Sequence, residues 1–112
     1  MEQHAIEIDG AHITVTCDYR DGEGRQHYTY NIKTPAFHHV GRDLSSGAMG
    51  GDARDGMESL LCFLSACAEA RRYERTEQRE TENSSLFPAH VGEWAEQYSD
   101  EIEMTLWELE NA

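Results

Sequence analysis

Residues 5–19 read AIEIDGAHITVTCDY, and no other stretch restricts the fold as much. Asp9-Gly10 stands between two segments in which apolar and polar side chains alternate. The dipeptide suits the positive-φ positions of a two-residue hairpin turn, and the alternation is that of strands with one dry and one wet face. Pairing across the turn sets Ile8 against Ala11 and Ile6 against Ile13. A second turn, DGEG at 21–24, joins residues 12–20 to 25–33. With Arg20 opposite Arg25, Cys17 meets Tyr28, Val15 meets Tyr30 and Ile13 meets Ile32, which keeps one face apolar. The other face then collects Thr14, Thr16, Asp18, His27, Thr29 and Asn31, with His27 opposite Asp18. A slip of one residue would invert this segregation, so the pattern itself selects the register.

Pro35 ends the third strand because it cannot donate to a ladder. AFHHV adds a short fourth extended piece, and residues 41–56, GRDLSSGAMGGDARDG with five glycines, read as one long loop. Asp52 or Asp55 can cap a following helix, which runs through MESLLCFLSACAEARRYERTEQRE to residue 80. Met57, Leu60, Leu61, Leu64 and Ala68 make one apolar stripe. Phe63, Ala66, Ala70 and Tyr73 make another, a width that predicts a central buried helix. TENSS links it to a last helix starting at Pro88, a residue suited to a first turn, with Leu86 and Val91 as a hydrophobic staple. The fold expected is a single α+β domain over residues 1–112. A three-stranded antiparallel meander, with a fourth short strand left open, is packed on one face by two helices in the order β-β-β-α-α. Exposed outer strands leave a homodimer open.

Net charge is −13, from 22 acids and 9 bases. Such a surface repels DNA, RNA and anionic lipid and attracts basic protein. Direct nucleic-acid or membrane binding is therefore not expected. No apolar run approaches the roughly 18 residues of a membrane span, and the first ten residues lack a signal-peptide pattern. The three cysteines, Cys17, Cys62 and Cys67, are an odd number set within apolar patterns, which fits reduced core thiols rather than a disulfide framework.

Residues 92–112, GEWAEQYSDEIEMTLWELENA, hold seven carboxylates, two tryptophans and no Lys, Arg or His. On a helical wheel Val91, Ala95, Tyr98, Ile102, Leu106 and Leu109 fall on one face, flanked by Trp94 and Thr105. Glu93, Glu96, Asp100, Glu103 and Glu110 form a ridge on the far side, with Trp107 between Glu103 and Glu110 and Met104 beside it. Like charges three and four residues apart cost an isolated helix roughly 0.2–0.5 kcal/mol per pair. Glu108 and Glu110 also sit at the end where the backbone is itself partly negative. One reading of such a ridge is a solvated face, with Trp107 covered by the chain terminus or by a second copy. An indole inside a charged rim has, however, the make-up of an interface hot spot. The seven residues Glu93, Glu96, Asp100, Glu103, Met104, Trp107 and Glu110 are the expected partner-binding set. Carboxylates so spaced can also stand in for a row of phosphates.

Chemistry is not evident elsewhere. His38 and His39 are adjacent and point to opposite faces of an extended chain. Cys62 and Cys67, five apart on a helix, share no face and form no zinc knuckle. No nucleophile elbow, phosphate-binding loop or calcium loop occurs, and no catalytic residue, metal site or cofactor is expected. Small size, strong negative charge, one α+β domain and the ridge at 93–110 together resemble the inhibitors that phages deploy against host defence, and most nearly the anti-CRISPR proteins. That resemblance rests on bulk character and quotes no diagnostic motif. It implies a non-enzymatic inhibitor in the cytoplasm of a bacterial host, which sterically blocks a basic nucleic-acid-handling protein such as a Cas protein, or mimics its nucleic acid. An antitoxin or immunity protein for a basic toxin, and a phage structural or accessory oligomer, are the alternatives.

Overall fold

The computed structural model describes residues 2–45, 51–77 and 82–111. Four strands, β1 (Gln3–Ile8), β2 (Ala11–Arg20), β3 (Gln26–Lys33) and β4 (His38–Ser45), precede helix α1 (Ala53–Glu77). A short 3₁₀ turn (Glu82–Ser85), α2 (Ala89–Gln97) and α3 (Ser99–Asn111) follow. The fold is α+β, with one antiparallel sheet in the order β1-β2-β3-β4. The chain divides into two compact units, residues 1–60 and 61–112, with the boundary inside α1.

In the first unit the alternation acts as the sequence indicates. Asp9 and Gly10 both take positive φ, 44° and 84°, and the turn they make sets Ile8 opposite Ala11 and Ile6 opposite Ile13. Cys17–Tyr28, Val15–Tyr30 and Ile13–Ile32 are also partners across β2 and β3. Ile13, Val15, Tyr28 and Ile32 are buried, whereas Thr14, Thr16, Thr29 and Asn31 on the other face keep part of their surface in water. The register departs from expectation near the second turn. Asp18 is an extra residue in β2, so Tyr19 faces His27 and Arg20 faces Gln26. This bulge keeps Arg20 from standing directly opposite Arg25, a like-charge pair that would weaken the ladder. Asp18 then accepts the Thr29 hydroxyl at 2.6 Å, and His27 stacks on Tyr19 with ring centroids 4.6 Å apart.

Asp21 organises that turn. Its Oδ1 accepts the backbone N–H groups of Glu23 and Arg25 at 2.8 and 3.0 Å, and its Oδ2 lies 2.8 Å from His27 Nε2. These contacts, the His27 ring first and then the Arg25 amide, lower the carboxyl from its ordinary 3.8 to about 2.

The stretch 41–56 is not one loop. Gly41–Ser45 belong to β4 and Ala53–Gly56 to α1, while Gly47 and Gly50 lie outside the described residues. A Cβ on Gly41 would come within 2.2 Å of the Tyr30 ring, so this glycine permits a close strand approach instead of a turn. Gly56 has a similar role. A Cβ there would fall 2.7 Å from Tyr28 and 2.8 Å from Val15, so the opening of α1 lies close against the inner face of the sheet. That opening is capped by Asp52, whose Oδ1 accepts the Asp55 N–H at 2.8 Å, and by Glu2, which accepts the Ala53 N–H at 2.6 Å.

The expected stripe Met57, Leu60, Leu61, Leu64 and Ala68 is buried. In the second stripe only Ala70 is fully buried, and Phe63 and Tyr73 are exposed, so α1 is not enclosed all round. None of the three cysteines is in a disulfide, but Cys62 is exposed and only Cys67 is fully buried. Burial pushes the Cys17 and Cys67 thiols above their ordinary range. The expected staple does not form either, since Leu86 is exposed and Phe87 is buried in its place.

Two outcomes follow for the first unit. Gly41→Ala should destabilise the fold by about 1–3 kcal/mol, the usual cost of overpacking, read as a lower urea midpoint. Because the folded Asp21 carboxyl lies below 3.8, its contribution is complete above that pH and fades as pH falls towards 2. Urea midpoints between pH 2 and 5 should therefore drop less steeply in Asp21→Asn than in the wild type.

Candidate partner-binding surface

The terminal helix expected from Pro88 onward is two helices. α2 has Pro88 at its N-cap and closes at Tyr98, whose φ of −111° and ψ of 26° leave the helical range; α3 begins at Ser99. A side chain of α1 meets the backbone at this break. Arg72 of α1 donates to the Glu96 carbonyl oxygen at 3.3 Å and also to the Ser99 hydroxyl. Its guanidinium thus bridges the last turn of α2 and the first residue of α3, an insertion of the kind that breaks a helical ladder. Ladder bonds persist on either side, with Tyr98 N–H to Trp94 O at 3.0 Å and Ile102 N–H to Tyr98 O at 2.9 Å. The break gives Asp100 and Glu101 places in the first turn of α3, where negative charge is favoured by about 0.3–1 kcal/mol. This offsets part of the repulsion along the ridge.

The apolar side of these helices follows the wheel. Val91, Trp94, Ala95 and Ile102 are buried, and the Trp94 ring lies 5.9 Å from that of Tyr98. Gly92 is buried too, and a Cβ on it would come 2.8 Å from Arg71 Cδ. Its missing side chain lets the Arg71 stem lie against α2.

The ridge itself is cut in two. Glu96 does not face solvent, and its side chain is only 10% exposed. Arg71 Nε donates to Glu96 Oε1 at 2.7 Å, and Arg75 pairs with the second carboxylate oxygen. Glu93 stays exposed, 4.0 Å from another Arg71 nitrogen. Arg71, Arg72, Arg75, Glu93, Glu96 and Gln97 line a hollow of about 570 Å³. Three arginines of α1, Arg71, Arg72 and Arg75, converge on α2. Glu96 is thereby committed within the molecule, while Glu93 keeps most of its side chain in water.

The α3 half of the ridge is not committed in this way. Met104 is 64% exposed and Trp107 63%, and with Asp100, Glu103 and Glu108 they line a second hollow of about 480 Å³. Four of its five residues belong to the expected set. Glu110 is exposed but does not line it. Glu108 does, and it escaped the sequence reading because the wheel places it off the ridge. Its place one residue after Trp107 and four after Met104 is the signal that could have found it. The Ser65 hydroxyl reaches Glu103 Oε1 at 3.5 Å, a long contact on an exposed carboxylate. An indole this exposed has roughly two thirds of its 150–250 Å² still to bury, a gross gain of about 2–4 kcal/mol at about 25 cal/mol per Å².

The adjacent histidines His38 and His39 have separate partners. His38 Nε2 lies 2.9 Å from Asn31 Oδ1, and His39 Nε2 lies 3.1 Å from the Tyr30 hydroxyl. Among the described residues no group of three or more His, Cys, Asp or Glu is placed to hold a metal ion, and no helix is long and apolar enough to cross a membrane. No family model, curated protein or solved structure matches the chain.

The two halves of the ridge should respond differently to mutation. Glu96→Ala should cost about 1.5–3 kcal/mol, the range for hydrogen bonds to charged groups, while Glu103→Ala should stay within about 0.5 kcal/mol, as surface changes do. Urea unfolding of both variants measures the contrast.

Proposed function

We propose that this chain is a non-enzymatic acidic binding protein, which inhibits a basic nucleic-acid-handling protein by occupying its binding surface. The observation that carries the reading is the exposed Trp107 indole seated among Asp100, Glu103 and Glu108, with Met104 alongside. The carboxylates raise the encounter rate with a positively charged surface, and the indole and thioether supply the apolar anchor. Steric occupation of a DNA- or guide-binding groove, with carboxylates in place of phosphates, is the mode this chemistry suits. The anti-CRISPR proteins are the group whose character the chain shares, and the cytoplasm of a bacterial host is where such an inhibitor would act.

A second reading has its own support. Phe63 and Tyr73 leave exposed aromatic surface on α1, and β1 and β4 are sheet edges. These features would serve a homo-oligomeric accessory protein, for which mass measurement should give a stable dimer or higher ring with Trp107 protected.

With the protein as bait in host lysate, the inhibitor reading expects a nucleic-acid-binding partner that is retained at low salt and released at high ionic strength. Trp107→Ala should weaken that retention at least about tenfold, as hot-spot truncation does, and shift the melting temperature by less than about 2 °C. Equal losses of binding and stability would assign Trp107 to the fold instead.

A further inference from the structure

We infer that the α3 hollow is a receptor for an arginine side chain, so that the partner presents a guanidinium to Trp107; this rests on the docking reading above. Asp100, Glu103, Met104, Trp107 and Glu108 stand at i, i+3, i+4, i+7 and i+8, one face of a helix over two turns. Residues 92–112 contain no Lys, Arg or His, so α3 brings no cation of its own to these carboxylates. The upstream half of the same acidic run shows how a guanidinium completes such a site. There Arg71 and Arg75 of α1 bind Glu96, and the Arg71 stem runs along the surface opened by Gly92. Downstream, the acids recur with a tryptophan and a methionine; among the described residues no arginine is paired with them, and Glu103 has only the long contact from the Ser65 hydroxyl.

The lining favours a guanidinium over an ammonium. A guanidinium is planar and weakly hydrated, so it stacks on an indole face while its edge N–H groups bond to carboxylates around the ring. Glu103 and Glu108, on either side of Trp107 in sequence, supply those acceptors. Met104 gives the aliphatic stem a soft apolar flank. An ammonium is compact and strongly hydrated and gains less from a single flat ring. Methylated ammonium groups call for a cage of several aromatic rings, and this hollow has one.

The test uses the full chain titrated with tri-arginine, tri-lysine and tri-citrulline peptides, followed by NMR at the indole N–H of Trp107, with the buried Trp94 as internal reference. Tri-arginine should shift the Trp107 signal and bind about tenfold more tightly than tri-lysine, within the span of cation–π energies, and tri-citrulline should leave it unmoved. Trp107→Ala and Glu103→Gln/Glu108→Gln should each abolish the preference, and Trp107→Phe should keep part of it. Equal binding of tri-arginine and tri-lysine, or a response of Trp94 alone, overturns the inference. If a basic partner is still lost on Trp107→Ala under that outcome, the docking reading survives and only the guanidinium assignment falls. If Trp107→Ala retains the partner fully, both fall.

Discussion

Glu96 and the arginines around it decide what the rest of the terminal segment can do. A carboxylate this buried is tolerable only with cations at hand, and Arg71 and Arg75 provide them. Arg72, from the same turn of α1, takes the Glu96 carbonyl and the Ser99 hydroxyl. The three arginines therefore fasten α2 to α1, and Arg72 spans the point at which α2 gives way to α3. Upstream of the break they hold Glu96, and Glu93 lies at the edge of their reach. Everything downstream keeps its charge for solvent or for a partner.

That division alters the meaning of the negative charge. Spread over one long helix, seven acids without a base would be a run of mutual repulsion. In the folded chain Glu96 is paired, Asp100 and Glu101 stand at the favourable end of α3, and Glu103 and Glu108, beside Trp107, have no cation partner among the described residues. The unfavourable remainder is small and local. It coincides with two large apolar side chains that are nearly two-thirds exposed. Charge left unpaired and apolar surface left uncovered at one place is the combination expected where function, not folding, has selected the residues.

The sheet was the most legible part of the sequence, because side-chain period and turn chemistry agree there. Asp9-Gly10 fixed one hairpin, and the pairs from Ile13 to Cys17 followed from keeping a face dry. The bulge at Asp18 was missed, although the register that set Arg20 opposite Arg25 already contained the like-charge pair that the bulge avoids. The length of β4 was hidden by glycines, which look alike whether they serve a turn or, as Gly41 does, the close passage of a ring. On α1 the wheel could not separate Leu64 from Phe63, because both are apolar and only tertiary placement decides which is covered. In the terminal segment the exposed positions of Met104 and Trp107 came through from periodicity. The withdrawal of Glu96 did not, since its partners lie about 20–25 positions earlier, beyond the reach of any local pattern.

The central claim is that Trp107 is open to water in the free protein and covered in the complex. Acrylamide quenching of tryptophan fluorescence, with Trp94 as the shielded counterpart, measures this directly before and after addition of a captured basic partner. The account predicts one readily quenched indole in the free chain and strong protection of that indole in the complex. An indole already shielded in the free monomer, or one quenched equally well with the partner bound, would contradict it.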